Sequence, residues 1–123
     1  MKIIDANVVL RYLLEDIPNL FSQSEGLIEN DAIYLPFEAL SEIVYVLEKV
    51  YTVARKEISR SLINLLKYQN ISTYDLEIAD HALKAYSDTN LDFIDTLLYA
   101  YHKVRDFEIV SYDKKLNKYI KQN

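Results

Sequence analysis

The chain has 123 residues and a mass of 14.4 kDa; half of the residues are hydrophobic, 27% are charged, and the net charge is −5. These values exclude the composition of a disordered protein and predict one domain, residues 1–123, that buries roughly two thirds of its unfolded surface. The absence of cysteine excludes disulfides and thiolate zinc sites, and the single glycine, Gly26, excludes glycine-rich nucleotide loops. With no long apolar stretch, the protein is expected to be soluble and cytoplasmic.

The spacing of apolar residues alternates between that of short strands and that of amphipathic helices. In chain order it predicts strand 2–5, helices 7–14 and 19–30, strand 32–35, helices 37–51 and 54–67, strand 71–73, helices 76–87 and 93–105, strand 108–111 and helix 114–121. Strands that alternate with helices favour parallel pairing through right-handed crossovers. The predicted fold class is therefore α/β, with a short central parallel sheet flanked by helices.

Basic residues are concentrated in two segments of this acidic chain. Residues 51–70 and residues 111–123 each carry four basic side chains and one acidic side chain. Such clusters are either solvated helix faces or contacts for nucleic-acid phosphates, and the sequence leaves both interpretations open. Their members are Arg55, Lys56, Arg60 and Lys67, followed by Lys114, Lys115, Lys118 and Lys121.

Two aspartates lie where predicted strands end. Asp5 closes the first strand, and Asp113 follows the last one. Ligands of open α/β sheets bind beyond the carboxyl ends of the strands, which favours a functional role for both residues. Aspartate is also a preferred N-cap, and both residues precede predicted helices. The cap and the ligand-binding interpretations therefore remain open.

Three further acidic residues lie on predicted helices. Asp92 and Asp95 are three residues apart at the start of helix 93–105, which places two like charges on one helix face. The helix dipole favours carboxylates at this end, and a bound cation would neutralise their repulsion. Glu42 lies off the apolar stripe of helix 37–51, so periodicity alone predicts a solvated side chain there.

The acidic residues occur in four short segments in a fixed order. These segments are Asp5-Ala6-Asn7, Ser41-Glu42, Asp92-Phe93-Ile94-Asp95 and Ser111-Tyr112-Asp113-Lys114-Lys115. In order and spacing they resemble the motifs of a PIN domain, and more narrowly those of VapC-type toxins, the small ribonucleases of toxin–antitoxin pairs. The resemblance spans nearly the whole chain and implies a PIN-like three-layer sandwich.

The resemblance also implies a metal site. It assigns four residues to a catalytic acidic quartet that holds Mg²⁺ or Mn²⁺: Asp5, Glu42, Asp95 and Asp113. Asp92 falls on an auxiliary metal-binding position, and Asn7 and Ser111 match supporting polar residues. Ala6 stands where the family usually has threonine, so no hydroxyl is offered there. The chemistry agrees, because an all-oxygen site selects hard cations such as Mg²⁺ and Mn²⁺.

The activity implied by this resemblance is metal-dependent hydrolysis of RNA phosphodiester bonds. Candidate RNA contacts are Arg11, Lys114 and Lys115. The resemblance further implies a homodimer and a VapB-type antitoxin as partner. One alternative is a catalytically inactive PIN-like dimeric binding module. Another is a receiver-type signalling domain, which is disfavoured because Asp5 has no acidic neighbour and residues 51–70 contain no aspartate.

Overall fold

The computed structural model describes all residues from Met1 to Asn123 and contains three short strands and seven helices. In chain order these are β1 (Lys2–Ile3), α1 (Ala6–Leu14), α2 (Pro18–Asn30), β2 (Ile33–Tyr34), α3 (Phe37–Lys49), α4 (Arg55–Leu66), β3 (Ile71–Ser72), α5 (Leu76–Asp88), α6 (Phe93–Arg105) and α7 (Lys114–Gln122). None of the helices has the length and apolar character needed to cross a lipid bilayer.

The strands form one parallel sheet in the order β1-β2-β3. Lys2 is in register with Ile33, which is in turn in register with Ile71. Helices α1 and α2 connect β1 to β2, and α3 and α4 connect β2 to β3, so every strand pairing is made through helical crossovers. The central strand buries Ile33 completely. The α/β prediction with a short parallel sheet flanked by helices is therefore confirmed.

The core is one cluster of 25 buried residues drawn from the sheet and the helices around it. Helix α5 packs against α4 and α6, and α6 contributes Phe93 and Leu97 to the core from its first two turns. Burying a side chain of this size stabilises the fold by roughly 1.5–3 kcal/mol. The first turn of α6 is therefore firmly held, which fixes the positions of Asp92 and Asp95 on its outer side.

The prediction of a fourth strand at residues 108–111 is wrong. Val110 is 86% exposed, and Tyr112 is fully exposed. Ile109 packs against the small cluster of Tyr99 and Leu116 between α6 and α7, away from the sheet. A β-branched run becomes a strand only where a neighbouring strand completes its backbone hydrogen bonds, and here no such pairing forms.

The consequence is that β1 lies at an edge of the sheet. Ile3 is 71% exposed there, although it belongs to the β-branched run that predicts the strand. The carboxyl end of β1 carries Asp5, whereas Asp113 follows an unpaired segment that ends at α7. The sheet therefore does not align these two aspartates side by side, as the predicted fourth strand would have done.

Candidate metal centre

Asp92 and Asp95 stand at the start of α6 with carboxylates that capping does not use. Asp92 occupies the N-cap position, but its side chain makes no capping hydrogen bond. Asp95, in the first turn, accepts no hydrogen bond from the protein. Asp92 therefore occupies the N-cap position without capping through its side chain, and neither carboxylate is used by a hydrogen bond within the protein.

Asp95 lies close enough to other charged groups for its pKa to change. Burial raises the pKa of Asp95, the negative charges of Asp113 and Asp92 raise it further, and Lys115 partly opposes them. Asp92, Asp113 and Lys115 are thus close enough to act electrostatically on Asp95.

The local structure around Asp113 explains its position. One carboxylate oxygen, Oδ1, accepts a hydrogen bond of 2.9 Å from the backbone N–H of Leu116 and so caps α7. The backbone N–H of Asp113 donates to Ser111 Oγ at 3.0 Å, and Asn117 Nδ2 donates to the Ser111 carbonyl at 2.7 Å. The cap is real, but a carboxylate has about four lone-pair sites, so Oδ2 remains available.

Asp5 is also a helix cap. Its Oδ1 accepts from the backbone N–H of Val8 at 3.3 Å, and its side chain is exposed at the end of β1. Asn7 is exposed in the first turn of α1. Ala6 is only 2% exposed because its methyl group packs in the core. A hydroxyl at this position would therefore need a buried hydrogen-bond partner.

Glu42 is exposed on α3, as periodicity alone predicts. No group of three or more acidic or histidine side chains has the geometry to hold one metal ion. The charges of Asp92 and Asp113 act on Asp95, and the place of Asp5 and Glu42 in a metal site with them stays a prediction. In chemistry the donor set fits a hard divalent cation, since every candidate ligand offers carboxylate oxygen.

Arg11, a candidate RNA contact, has a guanidinium group that is engaged in contacts within the protein. Arg11 is only 9% exposed and its Nη1 donates to both carboxylate oxygens of Asp16, at 3.0 and 2.8 Å. Its Nη2 donates to the Tyr51 hydroxyl at 3.3 Å. The assignment of Arg11 to RNA contact stays a prediction, and a phosphate would have to compete with the Asp16 carboxylate for this guanidinium.

Arg55 fixes the loop that leads into α6. Its Nη1 donates to the carbonyls of Tyr86, Thr89 and Leu91 at 3.2, 3.1 and 2.6 Å. Its guanidinium also lies 4.2 Å from the centre of the Tyr86 ring, a cation–π contact. Because Leu91 immediately precedes Asp92, Arg55 positions the start of the acidic site.

Lys114 and Lys115 are basic residues directly beside Asp113 in the chain. Both are exposed in the first turn of α7, directly after Asp113. Lys115 is near enough to lower the pKa of Asp95. Contact of these two side chains with an RNA phosphate stays a prediction.

Sequence reasoning missed Glu48, which lines a cavity of about 570 Å³ shared with Asp92 and Asp95. Tyr86 donates its hydroxyl proton to Glu48 Oε1. Burial acts to raise the pKa of Glu48, but the Tyr86 hydrogen bond and the charges of Arg55 and Lys49 outweigh it and hold the pKa below its ordinary value. The sequence offered one signal for Glu48: it is a charged residue one helical turn after Val44, which lies on the buried stripe of α3.

Comparisons with known proteins agree with the architecture. Among models of protein families, the one described as the PIN domain matches residues 2–121. That range contains every strand and helix except the last residue of α7. The searches of curated proteins and of solved structures gave no match for this chain.

Proposed function

This chain belongs to the PIN domain family, and on that premise we propose that it is a metal-dependent endoribonuclease of the VapC type. PIN domains are typically nucleases, and the nucleases of this family generally use divalent metals. The observation that carries the proposal is the PIN-domain match over residues 2–121, and it is supported by the negative charges of Asp92 and Asp113 that act on Asp95 where α6 and α7 begin. In an RNA hydrolase, carboxylates can hold the divalent cation that activates the attacking water.

The proposed ligands are carboxylates supplied by four elements of the fold. Asp95 and Asp113 would hold Mg²⁺ or Mn²⁺ with Asp92 beside them, and Asp5 and Glu42 complete the catalytic quartet. A bound divalent cation supplies charge neutralisation and a water of lowered pKa for attack on a phosphodiester. Binding of this cation requires ionised carboxylates, because protonated ligands release the metal.

The neighbouring residues position these carboxylates and the RNA. Ser111 fixes the backbone of Asp113 through its hydroxyl, and Asn7 presents an amide beside Asp5 at the start of α1. Lys114 and Lys115 offer two ammonium groups to the RNA backbone next to Asp113. Phosphate contacts of this kind position a nucleic acid without reading its sequence.

The proposal includes two protein partners, a second copy of this chain and a VapB-type antitoxin. The antitoxin would act by covering the carboxylates or the RNA path. Measurement of the molar mass in solution by light scattering tests the homodimer, with the mass of one chain as the contradicting result. Co-expression with the product of any small reading frame next to its gene tests the antitoxin, and unchanged RNA cleavage by the purified pair would contradict it.

An inactive PIN-like binding module is the second candidate function. The observation that favours it is the absence of three carboxylates in metal-binding geometry. The two candidates differ in one assay: purified protein is incubated with total RNA in Mn²⁺, in Mg²⁺ and in excess chelator. The nuclease proposal expects endonucleolytic fragments that chelator abolishes. Intact RNA under every metal condition, or cleavage that persists in chelator, refutes it.

A further inference from the structure

The cavity beside the acidic site is larger than a metal ion requires. It has a volume of about 570 Å³ and extends from Asp92 and Asp95 along α3 to Glu48. Half of its lining residues are hydrophobic, among them Tyr45 and Ile94. Apolar walls with a few fixed polar groups are typical of cavities that bind small organic groups.

Glu48 is the fixed acceptor in this cavity. Its side chain is 23% exposed, and Oε1 is held by the Tyr86 hydroxyl. Arg55 Nη2 lies 3.4 Å from Glu48 Oε1 and donates to Glu48 Oε2 at 3.4 Å, and Arg55 is itself anchored on backbone carbonyls. These contacts hold the carboxylate in one orientation and its pKa below the ordinary value, and the hydrogen bonds from Tyr86 and Arg55 use two of its roughly four lone-pair sites.

A donor and an aromatic ring lie next to this acceptor. Lys49 Nζ is 3.5 Å from Glu48 Oε2, and the Lys49 side chain is 53% exposed. Tyr45, one turn earlier on α3, is 63% exposed and lines the same cavity. The cavity therefore combines an ionised carboxylate, an ammonium group and a free aromatic face.

The charges of the lining select the kind of ligand. Glu48, Asp92 and Asp95 outnumber Lys49, so an anionic group is repelled from the cavity. A neutral ring with adjacent N–H donors is attracted, because the carboxylate can accept two hydrogen bonds from it. Among the RNA bases only guanine presents two adjacent donors, N1–H and the N2 amine, next to a carbonyl acceptor, O6.

We propose that this cavity binds one unstacked guanine of the RNA substrate beside the scissile phosphate. Glu48 accepts from N1–H and the N2 amine, Lys49 donates to O6, and Tyr45 stacks on the ring, as aromatic side chains do on single-stranded bases. The inference rests on the proposed nuclease function for its substrate class. Glu48 and Lys49 select the base, and Tyr45 contributes affinity that does not depend on which base is bound.

Binding measured without cleavage tests the pocket separately from the reaction. Fluorescent 2′-O-methyl oligonucleotides that differ at one base (G, inosine, A, C or U) are titrated in chelator and in Mg²⁺ and followed by anisotropy. The guanine oligonucleotide is expected to bind about tenfold or more tightly than the uracil one, the effect of losing hydrogen bonds to a charged group. Inosine, which lacks the N2 amine, falls between them.

Three variants and one matched control complete the test. Glu48→Gln abolishes the guanine preference, whereas Glu57→Gln on the exposed side of α4 retains it. Tyr45→Ala lowers the binding affinity for all the oligonucleotides by the same factor. Because Glu48 also contacts Tyr86 and Arg55, each variant is melted first; if Glu48→Gln does not fold, the half-exposed Lys49→Met carries the same prediction.

The results separate this pocket from the nuclease proposal. Equal binding of all the oligonucleotides, or a guanine preference that survives in Glu48→Gln and Lys49→Met, overturns the pocket. RNA cleavage without any base preference supports the nuclease proposal and refutes the guanine pocket. A guanine preference without any cleavage supports the pocket and refutes the nuclease.

Discussion

Asp113 has two roles in this account, and two substitutions at this position separate them. Its Oδ1 caps α7 through the 2.9 Å hydrogen bond from the Leu116 N–H, and its carboxylate belongs to the proposed metal site. Asparagine caps a helix as well as aspartate does, whereas alanine has no acceptor. We therefore expect Asp113→Ala to lower the free energy of unfolding by about 1 kcal/mol, or the melting temperature by roughly 3–5 °C.

Asp113→Asn is expected to leave the metal-free melting temperature almost unchanged, because two small effects oppose each other. Removing the negative charge forfeits the favourable interaction with the start of α7, worth about 0.3–1 kcal/mol. It also removes the repulsion from Asp95, whose pKa is raised first by burial and then by Asp113. The hydrogen bond to Leu116 remains, so the helix stays capped.

The assay combines thermal melts in chelator with RNA cleavage in Mn²⁺ for both variants. Asp88→Asn is the matched control, because Asp88 is exposed at the end of α5 and belongs to no motif. Both Asp113 variants are expected to lose cleavage by orders of magnitude, although only the alanine variant melts earlier. If Asp113→Asn cleaves RNA at the wild-type rate, Asp113 is a cap alone and its place in the quartet is refuted.

Three further predictions concern the fold. Asp16→Asn removes the charged partner of buried Arg11 and should cost about 1–2 kcal/mol, a reduced figure because Asp16 is one-third exposed; an unchanged melting temperature would contradict it. Burial acts to raise the pKa of Asp75, but the hydrogen bond from Arg105 outweighs it and holds the pKa below its ordinary value. The pair therefore stabilises the fold fully at pH values above that ordinary pKa, and this stabilisation declines as the pH falls. The melting temperatures of Asp75→Asn and wild type should converge in acid, and a difference that stays constant with pH would refute this. Ile3→Thr on the bare edge of β1 should shift stability by less than about 0.5 kcal/mol, and a larger loss would show that residues 107–112 cover this strand in solution.

The helices could be predicted from the sequence because their signal is local. Phe93 and Leu97 are four residues apart and both are buried, and every predicted helix is present. The fourth strand could not be predicted in this way, because strand formation at Val110 depends on a partner elsewhere in the chain. Residue types favour the strand, and the missing backbone pairing decides against it.

The candidate site shows the same division between local and long-range information. The caps of Asp5 and Asp113 are local and were predictable, whereas the partners of Arg11 are set by packing. Glu48 gave only a weak signal, since a glutamate beside an apolar stripe is usually solvated. Its role depends on Tyr86, which lies on α5 and meets α3 only in the folded chain.

The most direct test of the nuclease proposal is Mn²⁺ binding and RNA cleavage measured on the same samples of wild type, Asp95→Asn and Asp88→Asn. Free Mn²⁺ is followed by electron paramagnetic resonance, and cleavage by the loss of a labelled single-stranded RNA. The account predicts that wild type and Asp88→Asn bind Mn²⁺ and cleave RNA, and that Asp95→Asn loses at least about tenfold in metal affinity together with its cleavage. Wild-type Mn²⁺ affinity and cleavage in Asp95→Asn would contradict the assignment of these carboxylates to a metal-dependent active site.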